Sequence, residues 1–532
     1  MSKGQVFLRD ATGLVREIGP IDAVVLAIGG IIGPTWIIGF ASEWFLFPGV
    51  NVAASFAIMG VLGAVHGMYY VLITSAMPRS GGGGYVPLSR VIHPAFGLGM
   101  SFLMIAAYTL NLSLVASFLT SVGIFTPLTT YGTLTGNTAL VSFVSTFSSS
   151  TWTFVTGTVT VLIVGLIAIA GTKAIISINK IAIAVGSLGF VIMIGILIGT
   201  TPQTFAPLYN SYAGSPNAYQ NMITLAQNAG MANPSNWVPP TLLSLPVTFF
   251  LITGYQIGTY YSGELKRVQK TMALSVIGSI LYGACVFSLV AFLMTQAFGG
   301  DFIKSAVYLY NAAPSQYPLT VAPWVSSFIV LLNNNLFVNA ILIASYVAFG
   351  YLLMIGFVFI GSRHFLAWSF DRSFPSALGK VSDRFHSPVT AIVLISVLAE
   401  IGLGLYVYLP TIMGPVNLTF LFVAAWMFDG LAGIALPFRG KSIFERGLPI
   451  LRKKIAGVPL IVISGAYDVV LLILLFIASL YNPAAVGPLG FVTLATIFGS
   501  FILGVLMYYG MKAYNAKNGI DIALVFKEIP PE

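Results

Sequence analysis

Two stretches of more than eighty residues contain no Asp, Glu, Lys or Arg: Arg90 and Lys173 enclose 82 such residues, and Lys180 and Glu264 enclose 83. A soluble domain carries charge at roughly a quarter of its positions, because its surface faces water. Here charged residues are 7% of the chain and apolar residues 57%. The outer surface must face lipid, and the chain reads as a polytopic membrane protein. Apolar segments of about twenty residues, the length that crosses the hydrocarbon core, recur at 19–41, 50–77, 95–123, 152–171, 177–200, 241–262, 272–297, 336–361, 388–409, 415–438, 456–480 and 488–511. They are continuously apolar rather than alternating, which excludes a membrane β-barrel and predicts an all-α integral membrane fold of about twelve transmembrane helices.

The net charge of +9 resembles nucleic-acid affinity until the charges are placed. When the loops between segments are assigned alternately to the two sides, starting inside, 23 of the 24 Lys and Arg fall inside and only Lys304 outside. That bias predicts cytoplasmic termini and affinity for anionic lipid, with no nucleic-acid partner; the expected location is the plasma membrane. Lys3, Arg9, Asp10, Arg16 and Glu17 make the first eighteen residues too polar for the apolar core of a signal peptide, so this end is expected to be retained. The single cysteine, Cys285, excludes an intrachain disulfide and a cysteine-based metal site. Residues 124–151 and 201–240 carry no charge and are rich in Ser, Thr, Asn and Pro. They are expected to be extracellular, either as ordinary polar loops or as segments suited to an acidic exterior.

Two segments are interrupted. The first reads Gly29-Gly30-Ile31-Ile32-Gly33-Pro34-Thr35-Trp36, and the sixth reads Phe249-Phe250-Leu251-Ile252-Thr253-Gly254-Tyr255-Gln256. Pro34 lacks an N–H and crowds the preceding turn, and the glycines weaken the helix around it. Glycine- or proline-interrupted helices in corresponding positions of two halves point to the binding site of a secondary transporter. Five segments separate the interruptions, and an odd repeat unit inverts the second copy in the membrane. The expected organisation is a cytoplasmic N-terminal segment 1–18, a first repeat 19–200, an extracellular loop 201–240, a second repeat 241–438, a cytoplasmic loop 439–455, two appended helices within 456–511 and a cytoplasmic tail 512–532.

Four stretches carry a resemblance to a known family. They are Gly30-Ile31-Ile32-Gly33-Pro34-Thr35-Trp36; Met77-Pro78-Arg79-Ser80-Gly81-Gly82-Gly83-Gly84-Tyr85 through Arg90; Gly254-Tyr255-Gln256 with Gly263-Glu264-Leu265-Lys266; and Ser362-Arg363 through Asp371-Arg372-Ser373-Phe374-Pro375 to Ser387-Pro388-Val389. In this order they resemble the amino acid–polyamine–organocation permeases. The resemblance implies a five-plus-five inverted repeat of the leucine-transporter type, with helices 1 and 6 broken, and secondary transport of amino acids or related amines. There are departures. Gly33 and Thr35, separated by Pro34, stand where the family has Gly-x-Gly; the glycine run has one extra residue; and Gly186 aligns with a lysine that many proton-coupled members carry in helix five.

At an unwound helix, N–H groups at the new N-terminus suit a carboxylate, and freed carbonyls suit an ammonium group or a cation. An amino acid zwitterion needs both. The expected substrate-binding residues are Gly30, Gly33, Thr35, Thr253, Gly254, Tyr255 and Gln256, with Tyr255 covering the substrate side chain. Tyr108 and Asn111, three apart on one face of the third helix, either line the same site or join two helices. Ionisable groups inside spans mark function by default, so Asp22, Glu400, Asp429 and Asp468 are candidates for proton relay, or else neutral or paired structural groups; Asp22 alternatively caps the first helix. Asp468 falls in the eleventh segment, and His66 reads as a hydrogen-bonded packing residue. Arg79, Glu264, Arg363, Asp371 and Arg372 lie at cytoplasmic helix ends, as an inner gate of ion pairs or as solvated charges.

Two nucleotide motifs fail. Gly440-Lys441-Ser442 lacks the upstream glycine of a phosphate loop, since that position is Ala435, and the glycine run follows a span rather than a strand. The expected function is therefore secondary active transport by alternating access, with no cofactor and no metal, energised by a gradient of H+ or Na+ or by exchange; proton symport is the preferred form. Transport of polyamines or other amines and a transporter-fold nutrient sensor are the alternatives. A channel is disfavoured by the absence of a carbonyl filter motif, and an intramembrane enzyme by only four His and one Cys.

Overall fold

The computed structural model describes residues 13–78, 80–319, 321–414, 416–481 and 490–529. Among them, ten helices are long and apolar enough to cross a membrane, and a bent pair, Pro20–Ile31 with Thr35–Leu46, makes an eleventh at an angle of 47°. The bent pair is TM1a and TM1b. TM2 is Val52–Ala76, TM3 Pro94–Thr135, TM4 Ser150–Ile169 and TM5 Thr172–Ile198. TM6 is a shorter helix, TM6a (Val238–Ile252), followed by 3₁₀ turns at Tyr255–Thr259 and Ser262–Glu264. TM7 is Val268–Phe298, TM8 Leu336–Phe370, TM9 Val389–Tyr408, TM10 Leu418–Arg439, TM11 Leu460–Tyr481 and TM12 Phe491–Lys517. Each of the twelve apolar segments thus has its helix. The only strands among the described residues are Lys454–Ile455 and Val458–Pro459, paired as a short hairpin.

Local chemistry sets the helix ends. Asn51, Asn335 and Asn417 cap TM2, TM8 and TM10 with side-chain oxygens that accept backbone N–H groups of the first turn, and Pro94 starts TM3 where a missing N–H costs nothing. TM3 runs beyond the predicted end near 123. A π-helical stretch at Ser121–Phe125 absorbs Pro127 by widening the ladder, and the helix continues to Thr135. The charge-free segments expected as loops are helical as well: Thr138–Phe147 follows TM3, and Pro202–Tyr212 with Ala218–Asn228 precede TM6. Two further helices between TM7 and TM8, Gly300–Ala312 and Val325–Leu332, lie in a region where no segment was predicted.

Burial ranks the helices. TM10, TM3 and TM8 hide 72%, 67% and 67% of their most apolar windows inside the protein, whereas TM4, TM5 and TM9 hide 33% and TM12 17%. The former form the centre, and the latter present large apolar side chains such as Leu166, Val191, Ile401 and Leu503 outward to lipid. TM12 joins the bundle by close backbone approach: a Cβ on Gly504 would lie 2.6 Å from the Leu98 carbonyl oxygen of TM3.

Candidate functional site

The two helix breaks touch. TM1a ends at Ile31, Ile32 is extended, and Pro34 stands at the N-terminus of TM1b. In TM6, Thr253 is extended and Gly254 adopts φ +131°, a region that side chains avoid. A Cβ on Gly254 would lie 2.2 Å from the Gly30 carbonyl oxygen, and one on Gly30 would lie 3.1 Å from the Gly254 oxygen. Backbone meets backbone here only because both residues are glycine. The unwound strands leave helix-end carbonyls and N–H groups without intrahelical partners.

A cavity opens against these breaks. Its polar wall is Gly30, Thr35, Tyr108, Asn111, Thr253 and Gly254, which are six of the nine residues expected to bind substrate. Its apolar wall includes Phe250 and Leu353, with the Phe357, Phe422 and Trp426 rings set tilted or edge-on around Tyr108. Asn111 Oδ1 is buried and makes no hydrogen bond among the described residues, and Trp426 Nε1 is buried with the Tyr260 hydroxyl as its polar neighbour. Orphaned buried polar atoms are uncommon and call for a partner. The Asn111 oxygen is an acceptor and the Trp426 N–H a donor, the pair a zwitterion requires. The free space is about 20 Å³, room for roughly one water. A larger occupant requires the lining side chains to move.

Three expected residues lie outside this cavity. Gly33 sits behind its wall, where a Cβ would meet Leu353 Cδ2 at 2.1 Å. Gln256 folds back on the break: its Oε1 accepts the Gly254 N–H at 3.0 Å and its Nε2 donates to Thr253 Oγ1 at 3.2 Å. Tyr255 is fully buried, with its hydroxyl 2.5 Å from His66 Nδ1 on TM2 and its ring packed beside Gly63 and Gly67. Alternation around the 3₁₀ turn sends it away from the cavity that Gly254 lines.

A family model described as amino acid permease matches residues 22–521. The chain belongs to the amino acid permease family. No curated protein sequence matches it. The permease is thus a multi-pass membrane protein of an amino acid transporter family, and the resemblance read from the four sequence stretches is borne out.

Two buried ion pairs join helix ends of the permease on the side that carries its charged loops. Arg363 of TM8 donates to both oxygens of Glu264 at 3.0 and 3.2 Å, and Thr172, at the start of TM5, donates to Glu264 Oε2 at 2.7 Å. Backbone bonds between Ile18 and both Glu264 and Lys266 tie the residues preceding TM1 to the same point. Asp371 is held by Arg90, which donates to its two oxygens at 2.6 Å each, and by the Tyr85 hydroxyl at 2.8 Å. Burial, reinforced by Asp371, pushes the Tyr85 phenol well above its ordinary range. The pairing of Arg90 with Asp371 went unrecognised in the sequence because the partner lies 281 positions away. The Arg372 carbonyl accepts from Asn515 of TM12, and Arg79 lies outside the described residues.

The remaining ionisable groups disperse. Asp22 caps TM1 by accepting the Gly19 N–H at 3.1 Å and pairs with Lys180 at 2.7 Å. Glu400 accepts from Thr158 at 2.9 Å, joining TM9 to TM4. Gly186, at the position of the family lysine, is filled from outside by the Phe349 ring, 2.3 Å from where a Cβ would stand. One buried carboxyl escaped the sequence reading. Glu43 lies two residues past the end assigned to the first segment, within TM1b, and accepts from Ser55 of TM2 and Thr248 of TM6a at 2.9 and 3.1 Å. Only a more generous segment boundary would have drawn attention to it.

Proposed function

We propose that the permease imports an amino acid across the plasma membrane by alternating access, with the cavity between the TM1 and TM6 breaks as the substrate site and a proton as the coupling ion. The observation that carries this reading is the juxtaposition at Gly30 and Gly254 of two broken helices beside an orphaned acceptor, Asn111 Oδ1. The substrate carboxylate meets the N-terminal end of TM1b at Thr35 and the Trp426 N–H. Its ammonium group meets the freed carbonyls near Gly30 and Thr253 and the Asn111 oxygen. The side chain displaces Phe250 and Leu353. Alternating access then consists of opening one or other side of TM1 and TM6, with the Glu264–Arg363 pair as the inner latch. Cytoplasmic termini follow from the distribution of Lys and Arg.

Thermal-shift screening of the purified protein against amino acids and common amines, followed by uptake into liposomes, tests the assignment. A stabilising amino acid that is also taken up, and whose effect disappears in Asn111→Ala, is the expected result. Binding without flux in sealed liposomes would instead make the protein a sensor, and stabilisation by amines alone would move the substrate class.

A further inference from the structure

On the far side of TM6 from the cavity, a second set of polar groups is buried with no role in the site above. His66 Nε2 lies 2.7 Å from Asp468 Oδ1 of TM11, and its Nδ1 faces the Tyr255 hydroxyl one residue from the TM6 break. The other oxygen of Asp468 accepts the Gly430 N–H at 2.9 Å. Gly430 follows Asp429, whose carbonyl accepts the Tyr69 hydroxyl. Asp429 sits where TM10 tightens, with Leu431 and Ala432 bonding three residues back rather than four. TM10 and TM11 come this close because Gly430 and Gly465 meet backbone to backbone.

Charge counting makes the cluster unusual. His66 and Asp468 are fully buried and Asp429 nearly so. Among the described residues, His66 is the only basic group against two carboxyls. The other titratable groups around them are tyrosines: Tyr69, Tyr70, Tyr108, Tyr255, Tyr260 and Tyr467. Arg90, on the helix that packs against this part of TM10, is held by Asp371. A protonated His66 balances Asp468 only. A lone ion in the membrane interior costs several kcal/mol, so the cluster is neutral only with one further proton. Asp429 is also the member with a way out. It borders a narrow pocket lined by Tyr70, Ser80, Gly83, Gly84 and Thr259, which runs toward the loop between TM2 and TM3 on the basic face. A Cβ on Gly84 would lie 2.3 Å from Asp429 Oδ1, so the absence of a side chain there gives the carboxyl its place.

We propose that Asp429, Asp468 and His66 bind the proton that accompanies the amino acid, and that it is released to the basic face through the pocket at Asp429. This rests on the permease reading and gives it a coupling site. The proton arrives from hydronium on the outer side, forms an O–H bond on a cluster carboxyl, and breaks that bond to water on the inner side. One proton and one substrate cross together. Tyr255 is a positioning residue: through it, the charge on His66 bears on the backbone turn that holds Gly254 against Gly30. TM11, one of the two helices outside the repeats, acquires a function, because it supplies Asp468.

The test uses full-length protein in sodium-free liposomes with an inward proton gradient, with accumulation of substrate, proton entry reported by a trapped pH-sensitive dye, and counterflow exchange measured in parallel. Asp429→Asn and Asp468→Asn are expected to lower gradient-driven accumulation and substrate-linked proton entry about tenfold or more, the scale of a lost coupling, with counterflow close to wild type. Asp468→Glu should restore part of the coupling, which a purely structural role would not require. For variants that fail to fold, the wild type suffices: dicyclohexylcarbodiimide, which attacks protonated carboxyls in apolar surroundings, should label Asp429, as mapped by mass spectrometry. Wild-type uptake without proton entry would overturn this proposal and leave the permease intact, whereas absence of any wild-type uptake or exchange would remove the permease reading itself. Asparagine variants that stay fully coupled, or an unlabelled Asp429, would rule out the cluster alone.

Discussion

Single residues decide whether the two breaks can meet. Gly254 is in a sparsely populated backbone region that costs a side chain about 1–3 kcal/mol, and its missing Cβ leaves room for the Gly30 oxygen. A carbonyl of the main chain cannot yield as a leucine tip can. Gly254→Ala should therefore abolish the thermal shift produced by substrate and lower the unfolding temperature. Gly499→Ala on TM12, where a Cβ would meet nothing within 4 Å, should do neither. Glu43 allows a sharper inference. Ser55 Oγ is 2.8 Å from the Val52 carbonyl as well as 2.9 Å from Glu43, and Thr248 is similarly shared with the Ser244 carbonyl. Each hydroxyl has one proton to give. If they serve the backbone, the Glu43 carboxyl must itself donate, which a glutamine amide also does. Glu43→Gln should keep near wild-type stability in thermal unfolding, and Glu43→Ala should lose about 1–3 kcal/mol. A glutamine variant as unstable as the alanine one would show that the charge is needed.

At the scale of elements, the inner ends of TM5, TM6 and TM8 are joined by one buried pair. Removing a single partner of such a pair leaves an uncompensated charge and typically costs about 3–5 kcal/mol, more than the pair contributes as a whole. Glu264→Ala and Arg363→Ala should each destabilise the permease, and the double variant should be less destabilised than the sum of the two, as read from a thermal-unfolding cycle. The same loss unlatches TM6 from TM8. A cysteine placed at Thr259 in a background without Cys285 should then react faster with a maleimide added from the inner side. Additive effects would mean that the two side chains act separately. TM3 illustrates the opposite limit of sequence reading. Its apolar pattern fades near residue 123, yet the helix persists to Thr135 because a π turn accommodates Pro127. A composition-based boundary cannot see that adjustment.

For the whole molecule, both described ends lie on one face. Ile18 pairs with Leu265, and the Glu528 carbonyl is near the Arg90 side chain. With 23 of 24 Lys and Arg assigned to that face, a reporter that fluoresces only in the cytosol, fused to Glu532, should be bright. A dark fusion of full-length protein in the membrane would invert the topology. The same arrangement explains why TM4, TM5, TM9 and TM12 tolerate so many exposed apolar side chains, since lipid rather than water surrounds them.

The sequence alone determined what depends on local composition and on the order of residues. The twelve spans follow from apolar runs, the break positions from Gly30, Pro34 and Gly254, the permease family from four motifs in order, and the pairing of Tyr108 with Asn111 on one face from helical spacing. These are properties of chemistry within a turn or two, and lipid imposes them on any chain. Tertiary structure decided which of those residues look at each other. A reading along the chain could not tell that the 3₁₀ turn after Gly254 points Tyr255 to His66, that Gln256 folds onto its own backbone, or that Phe349 occupies the space at Gly186. Nor could it pair Asp371 with Arg90, or bring Asp468 of an apparently appended helix to the back of TM6. Such contacts join residues up to hundreds of positions apart. They are selected by the packing of helices whose apolar faces all look alike in sequence, because in a membrane neither face needs to be polar.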